Sequence, residues 1–159
     1  TDINFVIGLI GKPENLKNIH FDFLEEIEDI FVAAKDYLRN LKARGIQKDH
    51  ILQSSTLMLL DKNNMTRQYI DDYLQENQII IKDSIDISDM DLLIDFARIG
   101  VGVACVIKNF VREDLENGTL VEIPLGFPIH KREVGFAYKT TTKPSKSLAE
   151  FIHFYKTYR

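Results

Sequence analysis

An α/β fold with mostly parallel sheets flanked by helices is predicted by three observations on this 159-residue chain. Short runs such as 56–60 and 101–107 are apolar on both faces, as strands buried inside a parallel sheet must be. Other segments place apolar residues at helical spacing: Tyr69, Ile70, Tyr73 and Leu74 in one, Leu92, Leu93, Phe96 and Ala97 in another. The two kinds of segment alternate, the order that right-handed crossovers between parallel strands produce.

The elements follow in order. Residues 3–10 are too apolar on both faces to sit at a sheet edge, and Gly11, Lys12, Pro13 and Asn15 then form a polar turn. Residues 19–34 are strand-like, with Glu25, Glu26, Glu28 and Asp29 expected to form a solvated bend between two strands. Asp36 is expected to cap a helix carrying Leu38 and Leu41 that Gly45 ends, and a short helical turn includes Asp49, Ile51 and Leu52. Residues 56–60 form a buried strand, followed by the polar loop Asp61-Lys62-Asn63-Asn64 and the helix of Tyr69 to Leu74. A strand is expected over 78–85. Ser88 with Asp91 three residues on reads as a capping box opening the next helix, which Gly100 closes in the left-handed conformation. After the strand within 101–107 come a short polar helix and Glu116-Asn117-Gly118-Thr119-Leu120-Val121; 133–139 is a further strand, and Lys143-Pro144-Ser145 lead into a terminal helix with Leu148, Phe151, Ile152 and Tyr155 on its apolar side.

Composition narrows the function. Lys plus Arg number 20 against 24 Asp plus Glu, a net charge of −4, whereas a nucleic-acid surface carries the opposite sign. The single cysteine, Cys105, lies in a buried strand, which excludes a disulfide framework and fits a cytoplasmic protein. No apolar run reaches the roughly 18 residues of a membrane span, so no membrane partner is expected. His20, His50, His130 and His153 are dispersed, with no metal-site spacing, and no cofactor is implied. Ser54, Ser55 and Thr56 lack the glycines of a nucleophile elbow, and no phosphate-cradling glycine loop is present; the chain does not read as an enzyme.

The ordered set Asp89, Asp91, Leu93, Gly100, Gly102 and Val103, with the later Asn117-Gly118-Thr119-Leu120-Val121, resembles the effector-binding domain of LysR-type transcriptional regulators. The strand, polar loop and helix at 56–74 are a second match, and the resemblance covers nearly the whole chain. Ile107 stands where the family often has proline, and Ala97 where it often has valine. The resemblance implies a two-lobed, periplasmic-binding-protein-like (type 2) fold. The chain is expected to cross between lobes near 34–37 and 131–134, giving lobe I as 1–35 plus 132–159 and lobe II as 36–131. Lobe I so defined has too few helices to cover its apolar strands, and the chain opens at Thr1 without methionine. A preceding segment is therefore expected: a winged helix-turn-helix, a linker helix and the first elements of lobe I. DNA contact is expected only through that segment, and the family's habit implies a homo-oligomer, a dimer or tetramer.

Ligands of open α/β sheets bind beyond the carboxyl ends of the strands, where helix N-termini offer unpaired amides and partial positive charge. The helix end near Ser88 carries Asp89 and Asp91 and should repel an anion. The end at Asn63-Asn64 begins Met65-Thr66-Arg67, with no acid before Asp71, and is expected to accept an anionic group. Asn64 is also a candidate cap. The resemblance places Asn63, Asn64, Met65 and Thr66 at the effector cleft. Gly8 and Leu9, at the end of the first strand, are expected on the opposing wall from topology. Arg67 and Lys108 read as ion-paired or surface cations. The reading is thus a sensor of a small, anionic effector; the alternative is a transporter's solute-binding protein with the same two lobes. An enzyme on this scaffold would need a polar catalytic set, and only Asn63, Asn64 and Thr66 offer one.

Overall fold

Strands and helices alternate through the chain. In order they are β1 (Phe5–Gly11), β2 (Ile19–Ile27), β3 (Asp29–Ala34), α1 (Lys35–Ala43), a 3-10 turn (Lys48–His50), α2 (Ile51–Ser54), β4 (Thr56–Leu60), α3 (Met65–Glu76), β5 (Asp83–Ile87), α4 (Met90–Arg98), β6 (Val103–Ile107), a second 3-10 turn (Lys108–Val111), α5 (Arg112–Asn117), β7 (Leu120–Glu122) and β8 (Arg132–Lys139). This computed structural model describes residues 5–11, 19–139, 150 and 153–154, with side chains for 24–135, 150 and 153–154. The chain divides into two compact units, Thr1–Ile27 with Lys131–Arg159, and Glu28–His130.

In the first unit β8 lies between β1 and β2 and pairs with each antiparallel. The β1 register against β8 shifts between Val6 and Ile10, the stretch that holds Gly8 and Leu9. Leu24, Ile27 and Val134 are buried there.

The second unit holds a five-stranded sheet in the order β5-β4-β6-β3-β7. Parallel pairing runs through β5, β4 and β6; β3 pairs antiparallel with both β6 and β7. Side chains alternate across a strand, so a strand apolar at every position must serve two cores. Phe31, Ala33, Leu57, Leu59, Val103 and Cys105 share one cluster with Leu41 of α1 and Ile70, Tyr73 and Leu74 of α3. Val32, Met58, Leu60, Ala104 and Val106 share the other with Leu93, Ile94 and Ala97 of α4. Each fully buried large side chain contributes roughly 1.5–3 kcal/mol. This two-sided burial is why 56–60 and 103–107 are legible as strands.

The two glycines flanking Val101 act differently. Gly100, at φ 84°, closes α4: its amide donates to the Ala97 carbonyl and that of Val101 to the Phe96 carbonyl, the paired bonds of a Schellman motif. Gly102 is required by space, since a Cβ there would collide with the backbone carbonyl of Thr56 in β4. The Gly-x-Gly spacing therefore stops a helix and then lets the next strand approach its neighbour.

Several local expectations are corrected. The strand expected over 78–85 forms instead at Asp83–Ile87. Gln78 has φ 56°, and Ile79 and Ile81 pack on the core from a connecting segment rather than from the ladder. At the start of α4 the capping residue is Asp89, not Ser88; its side chain accepts the Leu92 amide at 2.8 Å. Asp36 does not cap α1; it lies in the first turn and pairs with Arg39 at 3.0 Å. The acidic bend breaks at Glu28, but Asp29 is only 2% exposed, so the cluster is not wholly solvated. Of the terminal helix, Leu148, Phe151, Ile152 and Tyr155 lie outside the described residues.

Candidate functional site

The carboxyl end of β4 delivers the chain into a tight polar loop. Asp61 accepts the Asn63 amide on its side chain at 3.3 Å and the Asn64 amide on its carbonyl at 3.1 Å. Asn64 then caps α3 from an extended conformation, its Oδ1 accepting the Thr66 amide at 2.8 Å. An amide oxygen does this without adding charge, and the first turn of α3 contains no acid. Neither the cap nor the first turn therefore neutralises the helix end's partial positive charge; the Asp61 carboxylate stands just outside it, on the Asn63 amide. Asn63 and Asn64 are exposed, Met65 is 67% exposed and Thr66 is half-buried. The four candidates are consecutive on one helix end, with Met65 offering an apolar side chain beside the polar group.

The other strand ends differ. The N-terminus of α4 is capped by Asp89 and carries Asp91 in its first turn, so it is neutralised from within. Beyond β6, Lys108 pairs with Glu28 at 3.9 Å and Glu122 at 3.4 Å, while Asn109 accepts from Arg112 at 2.8 Å. Among the three helix ends compared in the sequence, only that of α3 combines a hydrogen-bonding side-chain cap that is uncharged with an acid-free first turn.

Arg67 is held inside this site rather than presented to it. Its side chain is 8% exposed and donates through Nε to Asp71 at 2.9 Å. Through Nη1 it donates to the Leu60 carbonyl at 2.9 Å and to Asp86 at 2.6 Å. Burial works against the guanidinium charge, but the hydrogen bonds and charges of Asp71 and Asp86 outweigh it, so its pKa is raised. The i,i+4 partner Asp71 is visible in sequence. Asp86 is not: it lies 19 residues away on β5, and only the parallel β4–β5 pairing brings it in.

Farther along α3, Tyr69 donates to the His130 carbonyl at 2.7 Å and Tyr73 to the Phe127 carbonyl. Burial, with the nearby Cys105, raises the Tyr73 pKa above its ordinary value of 10.0. Cys105, the single cysteine of the sequence, is buried. Among the described residues no group of three or more His, Cys, Asp or Glu is placed to hold a metal ion. No helix among them is long and apolar enough to cross a membrane. A groove of about 690 Å³ lies elsewhere in the second unit, between α1 and β7, with Leu38, Leu41 and Ile123 in its wall and Lys35, Arg39 and Lys42 around it. None of Asn63, Asn64, Met65 or Thr66 lines it. Gly8 and Leu9 belong to the first unit, on β1.

The family model described as the LysR substrate binding domain matches residues 7–159. No curated protein matches the chain. Among solved structures, the regulatory domain of CcmR from Synechocystis PCC6803, in complex with 2-PG, superposes with a TM-score of 0.75 at 11% identity, covering 94% of this chain and 71% of that one. The bromide-bound regulatory domain of HypT from Salmonella typhimurium gives a TM-score of 0.71 at 18% identity, covering 92% and 68%. The effector-binding domain of QuiR with shikimate gives 0.71 at 17% identity, covering 94% and 69%. At these identities the likeness shows the fold, which is that of periplasmic-binding-protein-like (type 2) domains.

Proposed function

The chain belongs to the LysR substrate-binding domain family, and on that premise we propose that it senses a small anionic effector, seated at the N-terminus of α3 and held between two lobes. One observation carries the anionic reading: Asn64 caps α3 with a neutral group above an acid-free first turn, so the helix end can still attract negative charge. Asn63, Asn64, Met65 and Thr66 make the contact from lobe II, and Gly8 and Leu9 are assigned to lobe I's part in it from topology. The bromide ion of HypT and the shikimate of QuiR, an ion and a carboxylate, support an anion as the ligand class.

No covalent chemistry belongs to this role. The effector favours one arrangement of the lobes, and it can shift that equilibrium only by the difference between its affinities for the two arrangements. In a complete regulator the shift passes through a dimer or tetramer to DNA held by an N-terminal domain, in the cytoplasm. The test is a titration of the 159-residue chain with shikimate and with sodium bromide, followed by backbone amide chemical shifts. Saturable shifts at Asn63 to Arg67 are expected. Saturable shifts confined to other segments would remove the site from α3.

A further inference from the structure

We propose that Arg67 is a positioning residue for the effector loop: it yokes the β4–α3 turn to β5, so that Asp86, on a different strand, sets the geometry of the proposed ligand seat. The inference rests on the reading of Asn63 to Thr66 as that seat. The Arg67 side chain is 8% exposed, and its contacts belong to three elements: the last carbonyl of β4 at Leu60, Asp71 on α3 and Asp86 on β5. The backbone repeats the connection, since the Asp61 amide donates to the Ile87 carbonyl at 3.1 Å. Arg67 follows Thr66 directly, and the Thr66 amide is the one that Asn64 caps.

A planar guanidinium donates in fixed directions, so bonding to a carbonyl and to carboxylates on two sides fixes the first turn of α3 in both translation and rotation. A lysine would supply the charge without the fork. The arms are unequal in consequence. Asp71 lies on α3 itself, one turn along, and holds nothing but its own helix. Asp86 lies on β5, with its side chain 42% exposed, so truncating it to alanine removes the arm to β5 without opening the core.

Amide hydrogen exchange on the whole chain without ligand separates these roles. Asp86→Ala should accelerate exchange of the Thr66 amide at least about tenfold relative to the amides of β6, Val103–Ile107. Arg67→Lys should do the same, and Asp71→Ala should change that ratio by less than about threefold. An unchanged Thr66 rate in Asp86→Ala overturns the proposal. So does acceleration shared equally by β6, which is general loosening, and so does an Asp71→Ala effect as large as that of Asp86→Ala. If Arg67→Lys does not fold, the two aspartate variants still decide. Because no ligand is present, failure of the yoke is distinct from failure of the anion site, which the shikimate and bromide titrations report.

Discussion

Replacing Asn64 by Asp adds one negative charge at the proposed seat while changing side-chain volume little and keeping an oxygen to accept the Thr66 amide, now 2.8 Å from Oδ1. An anion bound to the remaining amides of the same turn would sit on the order of 5 Å from the new carboxylate, the pitch of one helical turn. At that separation two like charges repel by about 0.8 kcal/mol in bulk water and about 3 kcal/mol at an effective dielectric of ~20. Asn64 is exposed, so the water-like limit governs. The expected loss is about 1 kcal/mol, or roughly fivefold in affinity. The same carboxylate interacts favourably with the helix dipole, by about 0.3–1 kcal/mol. Asn64→Asp should therefore bind the anion more weakly and melt no lower than the parent. Asn64→Ala gives the opposite signature, losing the cap at a cost of about 1 kcal/mol and adding no repulsion. Calorimetric titration with shikimate, paired with thermal melts of the three proteins, reads both quantities. Wild-type affinity in Asn64→Asp would refute the reasoning, because an anion on that helix end cannot ignore a charge one turn away.

Further tests address the fold around the loop. Gly102→Ala should destabilise by about 1–3 kcal/mol, since the obstructing atom is a strand carbonyl that cannot rotate aside. Gly126→Ala, with open space around its Cβ, should be near neutral by the same denaturant titration. Asp89→Ala should cost about 1 kcal/mol through loss of the Leu92 cap, whereas Ser88→Ala should stay within about 0.5 kcal/mol; equal losses would mean that both residues cap. Tyr73 has a raised pKa because burial, and then Cys105, oppose its ionisation. Its folded pKa lies above the unfolded value near 10, so its stabilising contribution is fully present below about pH 10 and is lost as pH rises through the folded pKa. The stability difference between wild type and Tyr73→Phe should be level up to about pH 10 and narrow above it; a gap that stays constant to pH 11 would show that ionisation of Tyr73 is not coupled to unfolding.

The loop was legible because capping is local chemistry. Asn64, Thr66 and the missing acid of the first turn lie within a few residues of one another, and the structure places Asn64 at the cap position. The environment of Arg67 was only half legible, since Asp71 follows it at helical spacing while Asp86 arrives through strand pairing. The cap at α4 was misread by one residue because Ser88 and Asp89 are adjacent and both can accept an amide. Residues 78–85 misled more, because Ile79, Ile80 and Ile81 form an apolar run, whereas the strand itself is Asp83–Ile87, a polar edge whose first four residues are exposed. An edge strand buries little, so its ladder leaves little hydrophobic trace.

The features readable along the chain are those set by nearest neighbours and by burial on two faces. These are the central strands β4 and β6, helices α3 and α4, the left-handed closure at Gly100 and the uncharged cap at Asn64. Each follows from side-chain volume, backbone freedom or a hydrogen bond within a few residues. Tertiary structure alone decided which strands became neighbours. It set β3 antiparallel between β6 and β7, brought Thr56 so close to Gly102 that no side chain fits, and delivered Asp86 to Arg67. Those contacts join residues 19 or more positions apart, and their energy is realised only once the sheet has closed the loops between them.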